Sequence, residues 1–261
     1  MKISVIVSTY NWPEALELAL GSLLSQTRLP DEIIVGDDGS GPETKAVVDR
    51  IAASSPVPVV HVWQEDRGFR LARIRNKAVM AATGDYIIQI DGDIIAERHF
   101  VADHAESARA GHFLRGSRVM LGEKLSRRIC IARCLPAIRL WTRGVDSKVF
   151  NTLRLPFVAR RLLDRYRLRN YVLGCNMSFF KADFLAVNGY DENFVGWGGE
   201  DSDFFRRLSL YGIRPRRLKF YGLTYHLYHP LASKHNEEVH QSYCRRPDPE
   251  ICCKNGALKH P

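Results

Sequence analysis

Two short runs of β-branched and aliphatic residues each break into paired aspartates, and no other feature constrains the fold as tightly. Residues 32–35 read as a strand leading into Asp37-Asp38-Gly39-Ser40, and residues 86–90 as a strand leading into Asp91-Gly92-Asp93. A third run, 3–7, turns polar at Ser8-Thr9-Tyr10-Asn11. Short runs dominated by apolar residues suit buried strands. Segments with helical spacing separate them. Pro13 fits a first helical turn, and Ala15, Leu16, Leu18, Ala19, Leu20, Leu23 and Leu24 keep a helical period. Residues 43–54 and 71–82 follow as helices and 57–63 as another strand. This alternation predicts an α/β fold with a mostly parallel central sheet flanked by helices. Ligands of such sheets bind beyond the carboxyl ends of the strands, where both aspartate pairs fall.

The next stretch differs in character. Residues 115–170 hold fifteen Lys or Arg against three acidic residues, with apolar residues interleaved, and read as a basic helical insertion. Order returns with a strand over 171–180, a short helix over 181–187, a Gly-rich loop at 196–199, a helix over 200–211 and a last strand over 217–224. The polar segment from 231 is expected to be loosely held. The net charge of +9 favours anionic partners. A nucleic-acid module would interleave aromatics with its basic stripe on a recognised motif, and 115–170 has none, so nucleic acid is not an expected partner. The first residues lack the apolar core and cleavage site of a signal peptide, and no run of 18 apolar residues marks a membrane span. The expectation is a cytoplasmic protein. The six cysteines form no CxxC pair and are expected to be reduced thiols.

Five constellations carry chemistry. Asp91 and Asp93, one residue apart at a strand end, can share a hard divalent cation that bridges diphosphate oxygens. Asp37-Asp38 can accept hydrogen bonds from a base or ribose, or cap the following segment. Arg67, Arg70, Arg73 and Arg75, with Asn76, can hold phosphate or stack on a base, or form a solvated face. In Gly196-Trp197-Gly198-Gly199-Glu200-Asp201, the glycines let backbone pass close to a ligand, Trp197 offers a flat surface to a sugar ring, and a carboxylate can serve as general base toward an acceptor hydroxyl. His226 and His229, beyond the last strand, can add nitrogen to a carboxylate-bound metal. Paired aspartates and a metal also suit a nucleotidyltransferase. That class would place a Gly-rich basic loop after the first strand, where Thr9-Tyr10-Asn11-Trp12 stands.

In order and spacing this set resembles the family 2 glycosyltransferases of GT-A fold. The opening 4–11, Asp37-Asp38-Gly39-Ser40 and Asp91-Gly92-Asp93 are similar to the nucleotide-sugar half. Asn176-Met177-Ser178, Gly189-Tyr190-Asp191-Glu192 and the 196–201 loop are similar to the acceptor half of β-1,4-galactosyltransferases and chondroitin-type polymerases. The resemblance spans about 3–229. It implies a GT-A domain over 1–230, made of a nucleotide-sugar half (1–114), the basic insertion (115–170) and an acceptor half (171–230), with a tail over 231–261. It further implies an inverting transfer from a UDP-sugar to a glycan or lipid-linked acceptor of envelope polysaccharide synthesis, with Mn²⁺ or Mg²⁺ as cofactor. Thr9 and Asn11 would line the nucleotide site, Asp38 would hold uridine, Arg75 would lie near the base and Asp91 near the ribose. Asp93 and His226 would bind the metal, with His229 the rival ligand. Asp201 would be the catalytic base and Glu200 a sugar contact. The basic insertion would meet an anionic membrane at the inner face. Two departures stand out. Ser202 follows Asp201 where the galactosyltransferase loop continues with aspartates, and the Gln-x-x-Arg-Trp signature of processive synthases is absent.

Overall fold

A computed structural model describes residues 1–162, 174–230, 237–244, 246 and 250–260. The chain runs β1 (Ile3–Thr9), α1 (Pro13–Leu24), β2 (Glu32–Asp37), α2 (Pro42–Ser54), β3 (Val59–Trp63), α3 (Leu71–Ala81), β4 (Tyr86–Asp91), β5 (Ile94–Ala96) and α4 (Phe100–Ser107). It continues through β6 (His112–Arg115), β7 (Ser117–Leu121), α5 (Glu123–Ala132), β8 (Val145–Ser147), α6 (Pro156–Leu162), β9 (Asn176–Phe180) and α7 (Lys181–Ala186). It closes with α8 (Glu200–Leu210), β10 (Arg214–Arg217), β11 (Leu223–His226) and α9 (Glu237–Cys244).

Seven strands form the main sheet in the order β10-β6-β9-β4-β1-β2-β3. All pairings are parallel except those of β9, which runs antiparallel to β4 and β6. Hence the carboxyl ends of β1, β2, β4, β6 and β10, and the amino end of β9, share one edge. Every residue of β1 is buried, because helices cover both faces of the sheet. Its side chains alternate as the pleat requires. Ile3, Val5 and Val7 join Leu16, Leu20 and Leu23 of α1 on one side, while Ile6 joins α3 and the Phe179–Phe184–Phe204 cluster on the other.

A second, four-stranded sheet, β5-β11-β7-β8, packs against Ala15 and Leu18 of α1 and Leu125 and Ile129 of α5. The basic segment thus has the expected helices, α5 and α6, and also supplies two strands to this sheet. The last strand expected over 217–224 is divided. β10 ends at Arg217, and the turn to β11 carries positive φ at Phe220 (63°) and Gly222 (56°), moving the chain from one sheet to the other. The strand expected from 171 starts at Asn176, and 171–173 lie outside the described residues.

The C-terminal segment also differs from expectation, since Cys253 and Ala257 are buried against the α7–α8 side. Asn188 provides the anchor. Its Nδ2 donates to the Cys253 carbonyl at 2.7 Å, and its own carbonyl accepts from Ala257 N at 2.9 Å. A segment poor in apolar residues can dock this way because backbone hydrogen bonds and two small side chains do the work. All six cysteines are free thiols. Among the described residues no helix is long and apolar enough to cross a membrane.

Candidate active site

The site lies on the shared edge of the sheet. In register, Thr9 stands beside Asp37 and Ser8 beside Asp91. Gly92 lets the chain turn there, since a Cβ would sit 3.0 Å from Thr9 Oγ1 and 3.1 Å from the Ser8 carbonyl. The two aspartates after β2 divide their roles. Asp37 accepts from Ser40 N at 2.8 Å and pairs with His61 Nε2 at 3.0 Å, which fixes the turn. Asp38 faces the edge, accepting from Gln64 Nε2 at 2.6 Å and Arg70 N at 2.8 Å. Burial holds the Asp38 carboxyl above its ordinary range despite those donors. Asn11, at φ 44°, ties the two loops together: its N–H donates to Ser40 Oγ at 2.8 Å and its Oδ1 accepts from Gly41 N at 2.9 Å.

Asp93 meets both histidines. The pairing of β5 with β11 sets His226 opposite Ile94, and Leu227 N donates to the Asp93 carbonyl at 3.0 Å. Asp93 Oδ2 lies 3.1 Å from His229 Nε2 and 3.6 Å from His226 Nε2. One ligand atom from each of the three falls within 4.8 Å of the others. Asp93 Oδ1 and His226 Nδ1 are buried without a hydrogen-bond partner. Burial opposes charge on Asp93, but the His229 hydrogen bond and both histidines bring it below the usual carboxylate range. That hydrogen bond lifts His229 to about 8, whereas burial pushes His226 down. This mixed oxygen–nitrogen donor set, with unsatisfied buried atoms, fits a divalent transition metal such as Mn²⁺.

A second cluster surrounds Arg75, which with Arg207 is the bulkiest of the fully buried side chains among the described residues. Its guanidinium donates to Asp91 Oδ1 at 2.9 Å, Asp201 Oδ1 at 2.8 Å and Glu200 Oε1 at 3.2 Å, and lies 5.5 Å over the Tyr190 ring. The family resemblance implies a place near the base for Arg75. Its charge is committed to three carboxylates, one at the carboxyl end of β4 and two at the start of α8. Next to it, Asn76 exchanges two 2.8 Å hydrogen bonds with the Tyr190 backbone, fixing the segment ahead of the Gly-rich loop. In that loop Gly196, Gly198 and Gly199 have φ of 92°, 87° and 94°, a backbone that favours glycine. Trp197 stands half-buried among them.

Glu200 and Asp201 open α8. Burial and the adjacent Asp201 push Glu200 to about 8. Burial likewise raises Asp201, against the pull of Arg75. Asp201 Oδ2 also accepts from Gly174 N at 2.8 Å. Two residues at this edge, Gly174 and Arg118, escape the sequence reading, and Tyr190 enters it only within the Gly189–Glu192 motif, without its role here. Gly174 leaves room for Asp201. Tyr190 backs Arg75. Arg118, on β7, contacts Cys175 Sγ at 3.2 Å and faces Asp91 and Asp93. Gly174 and Arg118 belong to no motif, and only the tertiary fold brings them in.

Residues 4–124 match the family model described as glycosyl transferase family 2, and residues 157–230 match one described as the N-terminal domain of galactosyltransferase. The chain is 31% identical over 228 residues to a validoxylamine A glucosyltransferase of Streptomyces hygroscopicus subsp. limoneus, covering 81% of this chain and 48% of that protein. It is 27% identical over 251 residues to a chondroitin synthase of Escherichia coli, covering 90% and 36%. The chain therefore spans about half the length of these relatives, or less. Two solved structures share the fold. One is S. aureus TarS 1–349 in complex with UDP (TM-score 0.62, 19% identity, 94% of this chain and 64% of that one). The other is a mannosyltransferase of Pyrobaculum calidifontis in complex with GDP-Man and Mn²⁺ (TM-score 0.62, 19% identity, 92% and 61%).

Proposed function

The chain belongs to glycosyl transferase family 2, with a GT-A fold, and on that premise we propose that it transfers a hexose or N-acetylhexosamine from a UDP-sugar to a glycan or lipid-linked acceptor with inversion at the anomeric carbon. One observation carries the reading. A metal-donor set, Asp93, His226 and His229, and a buried carboxylate pair, Glu200 and Asp201, stand on the same sheet edge, linked through Asp91 and Arg75. Nucleotide-sugar transfer needs two such poles, one for the departing diphosphate and one for the incoming hydroxyl.

Asp201 is the base that takes the acceptor proton. It is the more open of the pair, with 18% of its side chain exposed against 7% for Glu200. A raised pKa makes it a stronger base than an ordinary carboxylate. Glu200 contacts the sugars, and Trp197 offers them its ring. Thr9, Asn11 and Asp38 line the nucleoside, with Asp91 at the ribose. Arg75 holds Asp91 and Asp201 in fixed relation and keeps the clustered acids from repelling one another. Asp93 and His226 hold the divalent metal, with His229 next to them. When bound, the cation neutralises charge growing on the leaving diphosphate. The acceptor oxygen attacks in line, the nucleoside diphosphate leaves from the opposite face, and the configuration inverts. The family match and the UDP- and GDP-Man-bound neighbours support this scheme.

A donor screen tests it. With Mn²⁺ present, UDP-sugars are expected to be turned over in preference to GDP- and dTDP-sugars. Activity should disappear in EDTA, return with Mn²⁺ or Mg²⁺, and be absent in Asp93→Ala. If no nucleotide-sugar is turned over, the transferase reading fails, whereas full activity in EDTA removes only the metal. We also take 1–230 as the catalytic unit and the basic segment as a peripheral contact with anionic membrane on the cytoplasmic side.

A further inference from the structure

The loop ahead of α8 is costly to order. Glycine gives up more conformational freedom on folding than any other residue, and Gly196, Gly198 and Gly199 all hold positive φ here. Gly199, at the start of α8, also has no side chain with which to cap the helix. Yet this loop carries Trp197 and leads directly into Glu200 and Asp201. The groups that hold it come from far along the chain.

Ahead of the loop, Asp191 is buried and the Glu192 side chain is only 4% exposed. Buried carboxylates are costly unless they are paired, and both find partners beyond residue 240. Asp191 Oδ2 accepts from the Tyr243 hydroxyl at 2.6 Å, and the Tyr243 ring meets Phe194 edge-on at 5.1 Å. Glu192 Oε1 accepts from His260 Nε2 at 2.5 Å, and its Oε2 lies 2.9 Å from Lys259 Nζ. Oε1 also accepts from Asn76 Nδ2 at 3.0 Å, which ties this pair of charges to α3 beside Arg75. The Glu192 N–H donates to the Asn255 carbonyl at 2.8 Å, and Asn255 Nδ2 donates to Asn193 Oδ1 at 2.9 Å. Behind the loop, Cys244 Sγ donates to the Gly199 carbonyl at 3.4 Å, and Arg206 of α8 donates through Nη2 to the Arg246 carbonyl at 2.7 Å. Both flanks of the Gly-rich loop are therefore held by residues between 243 and 260.

We propose that these residues position the acceptor side of the active site. Tyr243 on Asp191, with Lys259 and His260 on Glu192, holds the loop in the form that presents Trp197, Glu200 and Asp201 to the acceptor. The catalytic groups all lie within 1–230, and the segment that follows keeps them in register. Tyr243 and Glu192 touch no reacting atom in this scheme and are positioning residues. The proposal deepens the glycosyltransferase reading and rests on it for the acceptor, whereas the hold on the loop stands without it.

The test uses the full chain and two variants. Tyr243→Phe keeps the ring against Phe194 and removes the hydroxyl from Asp191. Glu192→Gln keeps the shape and removes the charge that Lys259 and His260 meet. A thermal melt checks that both fold. Amide hydrogen exchange over 190–201 is expected to quicken at least about tenfold in each variant, with 3–38 unchanged. Titration with UDP and Mn²⁺ should give wild-type affinity and stoichiometry, which counts the folded molecules. Hydrolysis of UDP-sugar should lose about tenfold in kcat with donor KM unchanged. A merely structural role would instead lower the UDP stoichiometry or raise donor KM together with the loss of kcat, and either result overturns the proposal. So does exchange over 190–201 that is no faster in either variant, or faster exchange with normal kcat. If the wild-type protein neither binds UDP nor hydrolyses a UDP-sugar, the transferase reading fails and the acceptor role with it, while the exchange rates still decide whether these residues hold the loop.

Discussion

At the scale of single residues the chemistry depends on a balance of buried charge. One cation, Arg75, serves three carboxylates, and burial raises the two that open α8. A base must be deprotonated to act, and a raised pKa moves its loss to higher pH. As pH falls, kcat/KM should therefore decline along an acid limb lying above the ordinary carboxylate range. Because Glu200 and Asp201 titrate together, that limb belongs to the pair. Asp201→Asn should lower kcat by roughly 10²-fold with little change in donor KM. Near-normal kcat would move the role to Glu200. Arg75 should matter more for stability. Arg75→Met leaves buried carboxylates unpaired, a defect of about 3–5 kcal/mol, readable in urea unfolding at neutral pH. The deficit should shrink at pH 5 as those acids take up protons. A loss under about 1 kcal/mol would mean that water, not Arg75, solvates the cluster.

At the scale of elements the site exists because short strands and turns end at one edge, and these differ in how far the sequence reveals them. β1, β2 and β4 are readable, since burial on both faces leaves runs dominated by apolar residues. β10 is not: Arg-Pro-Arg-Arg has no alternation, and the strand forms because β6 offers a parallel partner. The union of Asp93 with His226 depends on a three-residue strand, β5, pairing with β11, a contact without local signature. The motifs thus disclosed the candidate acids and histidines but not Arg75's partners, which only the tertiary fold brings to it. Gly174 illustrates the same limit. A Cβ there would lie 2.1 Å from Asp201 Oδ1. Gly174→Ala should therefore displace the carboxylate and cost about 10²-fold in kcat, because misplacement of order 1 Å is enough. Its melting temperature should stay within a few degrees of wild type, as expected for a change of about 1 kcal/mol or less. Unimpaired turnover would show that Asp201 needs no such seat.

At the scale of the whole molecule the question is how the net charge of +9 is distributed. Part of the basic segment is paired within the chain. Arg154 donates through Nε to Asp103 at 3.1 Å and lies over Tyr221, and Arg160 reaches Glu106 at 2.9 Å. Arg154 therefore serves the fold, Arg160 stays exposed in a surface pair, and Arg165 and Arg167 lie outside the described residues. The surface argument rests on other side chains. Ile131 (75% exposed), Trp141 (74%), Phe150 (67%) and Phe157 (67%) all project from 123–157, and such a concentration is unusual for a surface that meets only water. Arginines accompany two of them: Arg139 lies 5.8 Å over Trp141, and Arg161 lies 4.1 Å over Phe157. Aromatics that insert at the headgroup level, beside cations worth about 1 kcal/mol each near an anionic leaflet, form a peripheral anchor. The protein should co-sediment with phosphatidylglycerol vesicles at low salt, bind phosphatidylcholine vesicles far less, and dissociate as salt screens the charge. Trp141→Ala with Phe157→Ala should abolish co-sedimentation while leaving turnover of a soluble donor intact, and Arg161→Glu should weaken it. A wild-type protein that stays in the supernatant at low salt would show that these aromatics face something other than lipid.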